Sequence, residues 1–249
     1  MPEVLQELLE MSRYLGDPNN PFVILGEGNT SARIDEESFY VKASGTTLAG
    51  IREQDFLAVS ISKVIGLLDD PDAGDDDVDQ VLRASLLDST ETRKPSVETM
   101  LHALLLQYPE YGFVGHTHPT AVNGLLCSKR AREAADERTC PDHIVVMGHK
   151  SVFVPYVDPG LVLAREVRER LRRFVQEEGV LPKAIMLEKH GCIAMADTAN
   201  KVIGITAMAE KAAHIVLGAC AAGGPHYLSG EDVRRIDTRP DELYRQKQL

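Results

Sequence analysis

The amino-acid sequence predicts a layered α/β domain. Strand-like and helix-like segments alternate irregularly along 249 residues, as expected for helices packed on a sheet. No internal repeat, low-complexity linker or composition shift divides the chain, so one domain over residues 1–249 is expected. Apolar residues make up 43% and charged residues 26%, an ordinary balance for a chain that fills its own core. Pattern alone leaves the strand order open.

Residues 3–15 place Val4, Leu5, Leu8, Leu9 and Tyr14 at helical spacing, which predicts an opening amphipathic helix. GDPNNP then breaks the pattern. Residues 22–25 and 39–41 read as strands, separated by a turn-rich GEGNTS at 26–31. A second turn, SGTT at 44–47, precedes a strand over 56–61. Residues 69–79 hold seven aspartates. Their spacing to a terminal glutamate does not match a calcium loop, so a solvated loop is expected there. Residues 82–87 read as a short helix. Residues 95–107 predict a helix with Pro95 at its first position and Val97, Leu101, Leu104 and Leu105 as its apolar stripe. Further strands are expected at 112–116, 144–147, 152–154, 184–188 and 192–196, with helices at 120–127, 160–178 and 200–222. The polar tail 226–249 is expected to wrap over the surface.

The net charge of -11 and pI of about 5.2 argue against nucleic acid as a partner, because phosphate backbones need a basic surface. They do not exclude a small phosphate, which needs only a few local donors. The N-terminus is acidic and lacks the basic start and apolar run of a signal peptide. No apolar stretch nears the ~20 residues of a membrane span. Cys127, Cys140, Cys192 and Cys220 form no CxxC pair. A reduced cytoplasmic protein, with cysteines as small core residues, is the expectation.

His116-Thr117-His118 is the sharpest chemical feature. Residues i and i+2 of an extended chain point the same way, and neutral imidazole is a good ligand for zinc or another divalent transition metal. Alone, such a pair is as readily an ordinary surface or core pair. His190 adds weight: it precedes Gly191, where the chain can turn sharply. Three histidine ligands leave one coordination position open, the mark of a catalytic site. His190 by itself would read as a hydrogen-bonded loop histidine. Glu98, in the first turn of the 95–107 helix, either complements the helix dipole or serves as a general base near a metal. His102 shares its helix face and reads as structural, or as support for the metal site. GEGNTS and SGTT are anion-binding nests or plain hairpin turns. Gly26-x-Gly28-x-x-Ser31 is not a dinucleotide fingerprint: the last glycine is replaced, and a strand rather than a helix follows.

Taken together, GEGNTSARI, VKASGTTL, KPSVETMLHALLLQYPEYGFVGHTHP and IMLEKHGCIAMADT resemble the class II aldolase/adducin family in order and spacing, over residues 26–222. The wording is especially similar to the aldolase part of the bifunctional rhamnulose-phosphate aldolase/alcohol dehydrogenase group, and is similar to fuculose-phosphate aldolase. The resemblance implies a three-layer α/β/α sandwich around a largely antiparallel sheet. It also implies a homotetramer with active sites at subunit interfaces. It assigns zinc to His116, His118 and His190, the acid/base role to Glu98, and the substrate phosphate to Asn29, Ser44, Gly45 and Ser96. The implied reaction is retro-aldol cleavage of a ketose 1-phosphate to dihydroxyacetone phosphate and an aldehyde by way of a metal-stabilised enediolate. The partner is then a small sugar phosphate, with neither nucleic acid nor membrane involved.

Two positions depart from the family pattern. Val97 stands where fuculose-phosphate aldolases have a second serine, which removes one phosphate donor. The segment CPDHIVVMG at 140–148 lacks the tyrosine those enzymes lend to a neighbouring subunit; Asp142 and His143 are the substitutes in range. Competing activities on the same scaffold are a ribulose-phosphate-type 4-epimerase, a dehydratase and a decarboxylase. Glu98 in place of an aspartate favours the aldolase. A non-catalytic adducin-like module is disfavoured because all three histidines are present.

Overall fold

The computed structural model describes residues 1–246, the side chain of Asp75 excepted. Its elements in chain order are α1 (Glu3–Leu15), β1 (Asn29–Arg33), β2 (Ser38–Lys42), β3 (Phe56–Ser60), α2 (Ile61–Asp69), α3 (Asp75–Ala84), α4 (Thr99–Leu106), β4 (Phe113–Thr117), α5 (Thr120–Leu126), α6 (Glu133–Asp136), α7 (Pro141–Met147), β5 (Val152–Val154), α8 (Leu161–Glu178), β6 (Ala184–Leu187), β7 (Gly191–Ala196), α9 (Ala199–Ala221), α10 (Gly230–Thr238) and α11 (Pro240–Gln246). The strands form one seven-stranded sheet in the order β3-β2-β1-β4-β7-β6-β5. Among the described residues only β5 and β6 pair in parallel; the other neighbours are antiparallel.

The layers follow from the period of two along each strand. On β7, Ile193 and Met195 join one core, while Cys192 and Ala194 join the other. On β6, Ile185 and Leu187 separate in the same way from Ala184 and Met186. The first core is closed by apolar residues of α2, α3, α4 and α8, the second by those of α1, α5, α7 and α9. Each fully buried aliphatic or aromatic side chain stabilises such a sandwich by roughly 1.5–3 kcal/mol. This is an α/β/α arrangement around a largely antiparallel sheet, with β4 as the central strand.

Several segments differ from expectation, each for a physical reason. Residues 22–25 form no strand, with Ile24 and Leu25 exposed; the strand begins at Asn29 instead, inside the segment read as turn-rich. Residues 144–147 belong to a helix, α7, with Pro141 in its first turn. Their run is apolar because α7 lies between α9 and α10, and a run buried on both sides carries no period. The acidic run 69–79 is not one loop: α2 ends at Asp69 and α3 starts at Asp75. Acidic residues suit the first turn of α3, and Val78 and Leu82 anchor it. The short helix expected at 82–87 is therefore the end of α3. Residues 95–98 stay outside the helix: Ser44 N–H donates to the Lys94 carbonyl at 2.8 Å and Ser96 N–H to the Lys42 carbonyl at 3.1 Å, and a turn at 97–98 follows. Pro95 thus lies ahead of α4, and Glu98 occupies its N-cap position.

The tail forms α10 and α11, and Ile236 is buried against Ile144 and Val145. Of the cysteines only Cys192 is buried; Cys127 and Cys220 are exposed, and all four are free thiols. Helix α9, at 23 residues, is long and apolar enough by length and composition to cross a bilayer, which corrects the reading that no stretch nears that length. It packs against α1, α5, α7, β4 and β7 and buries Glu210.

Candidate metal centre

Because β1, β4 and β7 run antiparallel at the middle of the sheet, the start of β1, the end of β4 and the start of β7 share one edge. Asn29 pairs with His116, and Thr117 with Cys192. His116 lies on β4 itself. His118 follows the strand, its N–H donating to the Phe22 carbonyl at 2.8 Å. His190 sits in the tight turn between β6 and β7, after Lys189 in the left-handed region at φ 56°. Asn123 Nδ2 on α5 donates to the His190 carbonyl at 3.0 Å. Gly191 is required next to it: a Cβ there would run into the Thr117 carbonyl and lie 2.7 Å from His118 Cδ2.

The three rings converge with centroids 4.8–5.0 Å apart and interplanar angles of 67–80°. One nitrogen from each lies within 4.8 Å of the others, and the Nε2 atoms of His116 and His118 are 3.0 Å apart. His116 Nδ1 meets the Cys192 carbonyl at 3.0 Å. A carbonyl only accepts, so Nδ1 carries the proton and the Nε2 lone pair faces the other two rings. His116 is 1% exposed, whereas His118 and His190 are 19% and 21% exposed, so the cluster is closed behind and open in front. Burial first, and then the proximity of His116, push His118 down to about 4. Burial likewise lowers His116 and His190. All three favour the neutral form that ligates metals.

Glu98 completes the cluster. Its Oε2 lies 3.5 Å from His116 Nε2 and its Oε1 lies 3.4 Å from His190 Nε2. Burial raises this carboxyl, and His116, a hydrogen bond from Asn29, His190 and His102 more than reverse it, to about 2. That reversal draws on positive charge at the imidazoles, which burial keeps neutral; a divalent cation among the rings would supply the charge instead. The donor set therefore fits such an ion.

The pairing of residues 42–44 with 94–96 brings a second group alongside. Ser44 and Gly45 lie in an exposed turn, Gly45 at φ 80°. Ser96 is buried, and its Oγ accepts from the Glu98 N–H at 3.4 Å. Val97 is 46% exposed and offers no donor. Asn29, the fourth residue assigned to the phosphate, turns its amide to Glu98 and His102. Sequence reasoning missed Lys42, which is buried with its Nζ donating to the Thr46 carbonyl at 2.7 Å. It also missed Asn123 and Ser31. A lysine just before SGTT was the available signal for Lys42; nothing local marks the other two. Of the two substitutes weighed for the family's tyrosine, His143 is buried and Asp142 pairs with Arg245 at 2.9 Å. A cavity of about 920 Å³ opens at the far end of β7, beside Met195, Ala196 and Asp197, and reaches none of these residues.

The sequence pattern of the class II aldolase and adducin N-terminal domain matches residues 6–217. The chain belongs to that family. A protein of Bacillus subtilis (strain 168) named uncharacterized oxidoreductase YuxG is 29% identical over 85% of the chain; the chain spans 30% of that protein's length. A methylthioribulose-1-phosphate dehydratase of Microcystis aeruginosa is 27% identical over 66% of the chain and 71% of its own length. Among solved structures, an L-fuculose 1-phosphate aldolase superposes with a TM-score of 0.72 at 20% identity, covering 95% of each chain. The family fold is thus present over most of its length.

Proposed function

We propose that the protein is a zinc-dependent class II aldolase that cleaves a ketose 1-phosphate, rhamnulose- or fuculose-phosphate-like, to dihydroxyacetone phosphate and an aldehyde. The observation that carries this reading is the convergence of three neutral imidazoles with a carboxylate 3.4–3.5 Å from two of them. His116, His118 and His190 would hold the ion, which when bound supplies Lewis-acid stabilisation of charge on the substrate oxygens.

Cleavage breaks the bond between C3 and C4. C4 departs as the aldehyde as its hydroxyl gives up a proton to the ionised Glu98, and the electron pair remains on the dihydroxyacetone-phosphate fragment. Glu98 returns a proton to C3, and takes it back in the condensation direction. Its Oε2 is occupied by Asn29, so Oε1 is the oxygen that moves the proton. Ser44, Gly45 and Ser96 would donate to the phosphate, with Lys42 adding positive potential beneath the turn. The same reading makes the chain one cytoplasmic domain that assembles as a homotetramer with interfacial active sites.

A second reading is a lyase that dehydrates a ketose 1-phosphate, favoured by the named activity of the Microcystis relative. Metal analysis of the purified protein, followed by assays on ketose 1-phosphates with and without chelator, tests both. Stoichiometric metal and chelator-sensitive aldehyde release are expected. Loss of water without cleavage would replace the aldolase by the dehydratase, and epimerisation of ribulose 5-phosphate alone would replace it by an epimerase.

A further inference from the structure

We infer that His102 and Ser31 are positioning residues that hold Glu98 in its working orientation by way of Asn29, an inference that rests on the role of Glu98 proposed above. The four side chains form an unbroken buried row. Asn29 and Ser31 project from the same face of β1, while Glu98 and His102 lie four residues apart at the start of α4 and share a face. Asn29 Nδ2 is 2.5 Å from Glu98 Oε2, Asn29 Oδ1 contacts His102 Nε2, and His102 Nδ1 is 2.6 Å from Ser31 Oγ. Asn29, Ser31 and His102 are each buried to within 3% of complete.

The direction of every bond follows from the chemistry of the ends. A carboxylate only accepts, so Asn29 Nδ2 donates to Glu98. That turns Oδ1 toward His102, and an amide oxygen only accepts, so His102 Nε2 donates. Burial keeps the imidazole neutral, and a neutral ring has one N–H, so Nδ1 accepts from the Ser31 hydroxyl. The row therefore reads Ser31 to His102 to Asn29 to Glu98, with no other consistent assignment.

His102 is the member that anchors the Asn29 amide at the end away from Glu98. Without its N–H, Asn29 Oδ1 is left buried with no donor and only the single bond to Glu98 Oε2 holds the amide, which is then free to tilt. The carboxylate would then leave the position from which Oε1 reaches His190 and the substrate carbon. A histidine that only filled space between α4 and β1 would not need this direction of bonding.

The test uses the full chain, zinc-loaded and metal-free. In selectively ¹⁵N-histidine-labelled protein, His102, assigned by its loss in His102→Phe, is expected as the Nε2–H tautomer, with an Nδ1 resonance that moves in Ser31→Ala. An Nδ1–H tautomer overturns the inference whatever the protein's activity. In the cleavage assay, His102→Phe keeps the volume and lowers kcat roughly 10–100-fold with metal content and KM unchanged. His102→Gln, which restores an N–H near the Nε2 position, recovers most of that loss. Equal activity of the two variants, or a loss shared by KM and metal content, overturns it. Should His102→Phe not fold, Ser31→Ala serves: its kcat falls with KM constant, and an unchanged kcat refutes the row. If the wild type cleaves no ketose 1-phosphate, the proposed function fails separately, and the tautomer together with the Glu98 position in a crystal of His102→Gln still decides the inference.

Discussion

Replacing Glu98 by glutamine separates proton transfer from metal binding and from packing. The side chain is 12% exposed and lies between Asn29 and two imidazoles. Glutamine has the same shape, and Asn29 fixes its orientation. Asn29 Nδ2 donates, so the new carbonyl oxygen must take the Oε2 position, which puts the new amide nitrogen at Oε1, facing His190. The variant can neither give nor take a proton at that atom. Loss of a positioned acid/base group costs roughly 10²–10⁴-fold in turnover, or about 3–5 kcal/mol of barrier. Three imidazoles still supply the usual protein ligand count of a catalytic zinc site, so metal content stays near one ion per chain. Stability falls modestly near neutral pH, because a carboxyl held down at about 2 is stabilised by the fold in its ionised form and that contribution goes with the charge. The assays are steady-state cleavage, elemental analysis and thermal melting on the same preparation. Turnover within about twofold of wild type would refute the role of Glu98. Loss of metal together with turnover would make Glu98 a ligand rather than the proton carrier.

Three further outcomes follow from the same geometry. Gly191→Ala drives a methyl group into the Thr117 carbonyl and to 2.7 Å from His118 Cδ2; roughly 1–3 kcal/mol of stability should be lost to overpacking, and metal affinity with it, as read by urea melts and competition with a chelating dye. Asn123→Ala frees the His190 carbonyl and should weaken metal binding roughly 10–100-fold by the same dye assay; unchanged affinity would show that the β6–β7 turn holds His190 unaided. His149 lies between Asp237 at 3.2 Å and Glu178 at 3.1 Å, and its hydrogen bond to Asp237, opposed by burial and aided by Glu178, raises its pKa. Because the folded value is the higher one, its contribution to stability is complete below the ordinary histidine value of about 6.5 and is lost as pH rises through the raised value; urea melts across that range should show the slope in wild type and a flatter profile in His149→Gln.

The sheet was legible where its residues alternate or cluster as apolar strands: β2, β3, β4, β6 and β7 all stand where the pattern places them. Helices α1, α5, α8 and α9 follow from their apolar stripes. The misplaced parts share a cause. Residues 144–147 are apolar on every side because α7 is covered by both α9 and α10, and a short fully buried run looks alike as helix or strand. Residues 95–98 look like a helix start, but the Lys94 carbonyl and the Ser96 N–H are claimed by Ser44 and Lys42 at the end of β2. That is a long-range partnership no local signal announces. His116 and His118 could be paired from spacing, while the closeness of His190 and Glu98 came only through resemblance.

The strand that the pattern hid most completely is β1, and the reason is functional. A half-buried strand is recognised by apolar residues pointing inward. On β1 the residues facing α4 are Asn29 and Ser31, both buried and polar. Burying such groups is unfavourable by roughly 1–3 kcal/mol each unless every donor and acceptor is matched. Here they are matched, by Glu98 and His102. The segment therefore reads as a turn because its inward face has been given over to a hydrogen-bonded row instead of to the core. Replacing Ser31 by valine would make β1 a better strand by pattern and would leave His102 Nδ1 without a donor. Such a protein should lose at most the roughly 1–3 kcal/mol of the unmatched nitrogen, offset in part by the strand preference of valine, and turn over more slowly. A valine variant that lost stability in place of turnover would mean that the row exists to hold α4 on the sheet.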